Sequence, residues 1–452
     1  MNSQKHVESP QSQTRRRSAI TRKLPDIKAF FTAPLFFFGL GLYRAWIELV
    51  YVRPLFEAPL HTVAGHDVFD IAMAVVLLIC AAASRRLVPL FKKRTLVTCC
   101  LVCLLVGTFL NAASLYLSLD QAVFAPLAYL AAIISGLGTA LIILLWSELY
   151  GCLNPLRVAY YYSGSLMVAA LVIFLFNGFV QAYYLAGLVL LPILSLVLLF
   201  RSYASVPTQN LPKVTSPRFS FPWKPIALMA VYGFAYGMRE DQLYVFMGPH
   251  SSLGAIIAAA VVFIGIILIP SRFSLSVIYR VALPVMVCGF LLVPSLFLGA
   301  AEFSSICVSM SFTSFSILIM LILSNISYRF GVRAIWLFGI ERGLRALFMY
   351  SGRETARFLE ADHFSAVLQS ATFNLLIVVL IVVATMILLS ERELSSKWGI
   401  TFLTSGKAGD NGFEQHRLAE ACAGLSKQYA LSPRESEVLL LLARQQDLAS
   451  IE

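Results

Sequence analysis

"FGLGLYRAWIE" (Phe38–Glu48) and "YGFAYGMREDQ" (Tyr232–Gln242) decide how this chain is read. Each places an arginine, Arg44 or Arg239, after a run of glycine and aromatic residues, inside a longer apolar stretch. Two helices with the same charged insertion open two halves of similar plan. Outward from them, apolar runs close to the ~20 residues that cross a bilayer as helix fall at 30–52, 68–84, 96–118, 123–147, 158–177, 182–200, 226–247, 253–269, 278–298, 303–323, 332–350 and 372–389. The chain is 59% hydrophobic and 13% charged, against roughly 25% charged residues in soluble domains. The fold class is therefore all-α: a polytopic membrane protein of twelve transmembrane helices, six plus six, followed by a short helical tail.

Loop charges orient the bundle. Arg85, Arg86, Lys92, Lys93, Arg94, Arg157, Arg201, Lys213, Arg218, Lys224, Arg272, Arg280, Arg329 and Arg333 all fall in alternate loops, and the opposite loops hold Arg53, Arg353 and Arg357. Excess positive charge marks the cytoplasmic side, so both termini are expected there. Much of the net charge of +11 then serves topology and not nucleic acid. The expected domains are a basic tail over 1–29, a membrane domain over 30–389 and a linker over 390–417. The membrane halves are 30–200 and 226–389, joined by a Pro-rich loop at 201–225. A small helical unit over 418–452 completes the chain.

Charge inside a span costs about 2.5–3.5 kcal/mol on insertion scales and usually faces a cavity or a partner. Helix one carries Arg44 and Glu48, and helix seven carries Arg239, Glu240 and Asp241. Helix eleven carries Glu341, Arg342 and Arg345. Arg44, Glu48, Arg239 and Glu240 are the ligand-pocket candidates; structural ion pairing across the halves would equally require them to meet. Glu341 with Arg345 reads as a local pair, and Glu148 as an interfacial carboxylate at the end of helix four. No metal set, nucleophile motif or phosphate loop is present, so neither catalytic residues nor a cofactor is expected. Cys99, Cys100 and Cys103 sit in an apolar span, where thiols pack as small hydrophobes. His61, His66 and Asp67 read as one outer loop.

The repeated six-helix half resembles the plan of the major facilitator superfamily, whose inverted repeats bind substrate near mid-membrane. That resemblance implies a central cavity lined by helices one, four, seven and ten. The loop "SRRLVPLFKKR" (Ser84–Arg94) supplies the basic residues of that family's signature but not its Gly and Asp.

The tail carries a second resemblance. In "LSPRESEVLLLLARQQDLASIE" (Leu431–Glu452), Ser432, Pro433 and Glu435 spell a capping box at a helix start. Leu431, Ser432, Arg434, Glu435, Glu437, Val438 and Leu439 are similar to the opening of a LuxR-type helix-turn-helix, with Leu442 and Ile451 continuing its apolar scaffold. The sequence stops before the helix that reads the major groove in such domains, which implies an incomplete DNA-binding unit. Together the resemblances imply a membrane-bound regulator of the bacterial cytoplasmic membrane. Its bundle would sense an unidentified small molecule, its tail would meet DNA, and a homodimer is compatible. The alternative is a secondary transporter with a helical tail.

Overall fold

The computed structural model describes residues 34–52, 63–116, 121–206, 221–247, 253–268, 275–292, 299–361 and 371–388, with scattered positions between 422 and 439. Among these residues twelve long helices stand in register with the twelve apolar runs. They are α1 (Leu35–Gly39, Leu40–Ile47 and Glu48–Val52 in succession), α2 (Val63–Ala82), α3 (Arg94–Tyr116), α4 (Gln121–Tyr150), α5 (Pro155–Phe176) and α6 (Gln181–Ser205). The second half holds α7 (Trp223–Met247), α8 (Leu253–Leu268), α9 (Leu275–Leu291), α10 (Ala300–Phe330), α11 (Ala334–Ala361) and α12 (Ala371–Leu388). Five of them are long and apolar enough, by length and composition, to cross a membrane.

The packing repeats with a shift of six. In the first half α1 packs on α5 and α6, α2 on α4, and α3 on α4 and α6. In the second, α7 packs on α11 and α12, α8 on α10, and α9 on α10 and α12. The seam obeys the same rule, since α2 meets α11 as α8 meets α5, and α4 meets α11 as α10 meets α5. That is the signature of a two-fold pseudo-symmetry between six-helix halves.

What the halves leave outside is apolar. On α12, Leu375, Leu376, Val379, Leu380, Val383, Met386 and Ile387 are all exposed, as are Val102, Val106 and Phe109 on α3. Faces of this extent are not left in water by soluble monomers; here they meet lipid tails. The chain is a polytopic, all-helical membrane protein.

Helix α1 is irregular, passing from 3-10 through α to π winding. Changes of winding free carbonyls that hydrocarbon cannot satisfy, and side chains of the same half supply the donors. Tyr150 donates to the Phe37 carbonyl (3.3 Å), Ser195 to Gly39 (2.9 Å), Tyr184 to Leu49 (3.0 Å) and Asn111 to Val50 (3.0 Å). The indole of Trp46 donates to Thr108 at 3.0 Å. Helix α1 is thus bolted to α3, α4 and α6, and this fixes where Arg44 stands.

In the second half α7 and α11 approach through glycine. A Cβ at Gly237 would overlap the Met349 carbonyl, and one at Gly352 the Phe234 carbonyl. Across the seam, a Cβ at Gly339 would stand 2.8 Å from the Leu77 carbonyl of α2. Small residues at such crossings let backbones close up. They set α11 deep between α2 and α7.

Candidate functional site at the seam between halves

Helix α11 carries charge at two levels. Near one end, Arg353 is 2% exposed and reaches three carboxylates. Its Nε lies 2.8 Å from Asp67 Oδ1, Nη2 lies 2.5 Å from Asp70 Oδ2, and Nη1 lies 3.4 Å from Glu240 Oε2. One turn on, Arg357 donates to Asp67 Oδ2 (2.6 Å) and to Asp241 Oδ1 (3.1 Å). Asp67 and Asp70 belong to α2, and the other partners to α7, so the network ties the two halves together. The Ser84–Arg94 connection, with its exposed Arg85, Arg86, Lys92, Lys93 and Arg94, lies at the opposite end of α2.

The second level is mid-bundle. Glu341, 2% exposed, lies 3.2 Å from Arg342 Nε and 3.7 Å from Arg345 Nη1. The charges are close but not aligned: neither oxygen of Glu341 receives a hydrogen bond, and Arg342 Nε donates none. Arg342 Nη2 instead crosses the seam to the Tyr162 hydroxyl of α5 at 3.4 Å. Arg345 donates to Ser316 at 2.9 Å and lies over the Phe312 ring. From α1, the exposed Arg44 joins Arg342 and Arg345 in acting electrostatically on Tyr162. Guanidiniums of both halves thus act on one phenol, and Arg342 bonds to it.

The four pocket candidates separate. Arg44, Glu48 and Glu240 all act on Tyr236 of α7, so these three share a neighbourhood. Arg239 does not join them. It is 2% exposed and bonded inside the second half, to Ser304 Oγ (2.9 Å), Gln242 Oε1 (3.0 Å) and the Leu292 carbonyl (2.5 Å), with Phe290 beneath it. The reason is rotation: successive helical residues point about 100° apart, so Arg239 and Glu240 cannot face the same way. Arg239 holds the end of α9 against α7.

Other expectations also change. Arg353 and Arg357 are helical, because α11 runs on to Ala361, and Asp67 lies in α2, which begins at Val63. Glu148, at the end of α4, is 1% exposed and so shielded from water by the protein itself. Its carboxylate accepts the backbone N–H of Leu90 through both oxygens (3.0 Å each) and that of Phe91 (3.3 Å), clamping the Ser84–Arg94 connection onto α4. The Glu341–Arg345 pair exists, but at the seam and not as an isolated local contact. Among the described residues no group of His, Cys, Asp and Glu could hold a metal ion. In the tail, the Ser432 amide donates to Glu435 Oε2 at 2.8 Å and the Glu435 amide to Ser432 Oγ at 3.4 Å, so the capping box forms. Leu431, Arg434, Val438 and Leu439 are described around it; Leu442 and Ile451 lie outside the described residues.

No family model matches this sequence, and no curated protein matches it. Solved structures do. The chain is similar to the major facilitator superfamily proton:xylose symporter XylE bound to 6-bromo-6-deoxy-D-glucose, with TM-score 0.51 and 12% identity over 82% of this chain and 96% of that one. The fold of the membrane domain is similar to that of this transporter. The E. coli fucose:proton symporter FucP also aligns, at TM-score 0.46 and 12% identity, over 78% of this chain and 95% of that one. At 12% identity the likeness to XylE is one of fold. Nothing in these comparisons extends to the helix-turn-helix reading of the tail.

Proposed function

We propose that this protein is a secondary transporter of a small molecule, the alternative raised by the sequence, with its substrate site where α1, α5, α7 and α11 converge. The observation that carries this reading is the buried, unaligned cluster of Glu341, Arg342 and Arg345, from which Arg342 crosses the seam to Tyr162. A bundle held only by packing gains little from such a group. Unaligned buried charge is costly, and its removal in favour of apolar residues is often neutral or stabilising. A site that exchanges partners during a cycle has a use for charges that no partner fully satisfies. The pseudo-symmetric halves supply the motion, rocking about a fixed central site. On this reading the basic end is cytoplasmic and the Arg353 network closes the outer side.

The test is uptake. Purified protein is reconstituted into proteoliposomes and incubated with a defined pool of water-soluble metabolites, and lumenal contents are read by mass spectrometry. Accumulation of a solute that is lost in Arg342→Gln is expected. No accumulation over protein-free liposomes, for any solute and at any imposed pH gradient, would contradict the proposal.

A second reading draws on the tail. The Leu431–Leu439 pattern and the formed capping box favour a LuxR-type regulator in which the bundle senses a ligand and the tail meets DNA. Capping boxes open many helices, so this supports a helix start and not base readout, which needs side chains at base edges. Salt-sensitive, sequence-selective gel shifts with the chain's own upstream region would favour the regulator.

A further inference from the structure

The transported species, on the transporter reading just given, can be narrowed by charge. The Tyr162 hydroxyl accepts from Arg342 Nη2 at 3.4 Å, and Arg44 and Arg345 also act on it electrostatically. Among the described residues Glu341 is the one acidic group in ion-pair distance of Arg342 and Arg345. It serves them poorly: both its oxygens are buried without a hydrogen bond, and Arg342 Nε is likewise unused. Arg44 is exposed although it sits in a membrane helix, and it makes no ion pair or hydrogen bond among the described residues. It acts electrostatically on Tyr43, Tyr162, Tyr236 and Arg345, groups drawn from both halves. Glu48 and Glu240 share the Tyr236 neighbourhood with Arg44, and Glu240 is already engaged by Arg353. Planar guanidiniums with free N–H groups are the natural receptors for a two-oxygen anion.

We propose that the seam binds the oxyanion of a water-soluble organic acid, a carboxylate or phosphate ester, between Arg44, Arg345 and Arg342, with Glu341 as the counter-ion that the substrate displaces. Tyr162, already bonded to Arg342, offers a hydroxyl to the same anion.

The experiment uses the full chain in nanodiscs of phosphatidylcholine. Thermal stability and intrinsic tryptophan fluorescence are followed with acetate, succinate, citrate, inorganic phosphate and glucose phosphate. Glucose and xylose serve as neutral controls and choline as a cationic one. At least one anion is expected to stabilise the protein saturably, and the neutral and cationic solutes are not. Arg44→Gln removes no buried partner, so it should fold normally yet bind that anion at least tenfold more weakly. Glu341→Gln removes the competing counter-ion and should bind it about tenfold more tightly, the worth of one modest charge contact; a merely structural role for Glu341 gives no gain. A separate arm with phosphatidylglycerol nanodiscs tests a lipid headgroup as the source of the anion. Saturable stabilisation by glucose or xylose that is lost in Arg345→Gln would overturn the anion proposal while leaving the transporter reading standing. Stabilisation by phosphatidylglycerol alone, or by no anion in the set, would also overturn it. Failure of the transporter reading itself is registered separately, by uptake.

Discussion

Arg353 and Arg44 are both arginines within membrane helices, and opposite consequences follow from their surroundings. Arg353 is buried and engages three carboxylates, so Arg353→Gln strips Asp70 of its arginine and leaves Asp67 with Arg357 alone. Breaking one side of a buried ion pair costs about 3–5 kcal/mol, and a large drop in thermal midpoint in detergent is expected. Arg44→Gln, by contrast, should leave the midpoint within error. Equal losses in the two variants would contradict the assignment of Arg44 to an open site. Glu435 gives a pH-dependent prediction. The Ser432 backbone amide, donating to its exposed carboxylate, holds that group below its ordinary value. A depressed carboxylate contributes its stability above the unfolded value of about 4.3. That contribution is lost as pH falls through the lower folded value. Amide exchange at Ser432 should therefore be protected at pH 6 and deprotected as pH approaches 3; protection that ignores pH would mean the box is not closed in solution. Charge at single positions was easy to find in the sequence, since every partner named above is an unmistakable ionisable residue in an apolar chain. Direction was not. Membership of helix seven puts Arg239 and Glu240 in one pocket on paper, and their adjacency on that helix turns them to different sides.

At the scale of elements, the runs of apolar residues located all twelve helices, because hydrocarbon leaves the backbone almost no alternative to helix. Their ends were harder. Arg353, Glu354 and Arg357 lower the hydropathy after residue 350 enough to imitate a loop, and His61, His66 and Asp67 do the same before residue 68. The described residues of both stretches are helical because Asp67 pairs with Arg353 and Arg357 across the seam, a fact of tertiary structure that a one-dimensional window cannot contain. The repeat between Phe38–Glu48 and Tyr232–Gln242 gave the right pairing of α1 with α7. Its environment differs, since α1 is bolted by side chains to its carbonyls and α7 is seated by glycine. Gly237→Leu forces a side chain into the Met349 backbone, and overpacking of this kind costs about 1–3 kcal/mol. The same change at Gly178, where the nearest atom to a Cβ is 3.7 Å away, should be silent. Similar losses at both positions, read by denaturation in a mild detergent, would contradict the close approach of α7 and α11.

For the whole molecule, the orientation inferred from loop charge makes a simple prediction. Alkaline phosphatase fused after Gly299 should be active, and fused after Gly406 inactive; the reverse pattern would turn the bundle over and place the Arg353 network on the cytoplasmic side. The central claim is that two six-helix halves rock about the charged seam, with the Asp67–Asp70–Arg353–Arg357 network holding one end shut. It is tested most directly by the distance across that end. In a background with its eight cysteines replaced, spin labels at Val68 of α2 and Phe358 of α11 would report that distance by pulsed electron resonance in nanodiscs. The account predicts a dominant short distance in the parent protein and a second, longer population that grows when Arg353 is changed to Gln, since removing the tie shifts the equilibrium between the two states. A single distance, unchanged by loss of Arg353 in a protein that remains folded, would contradict it.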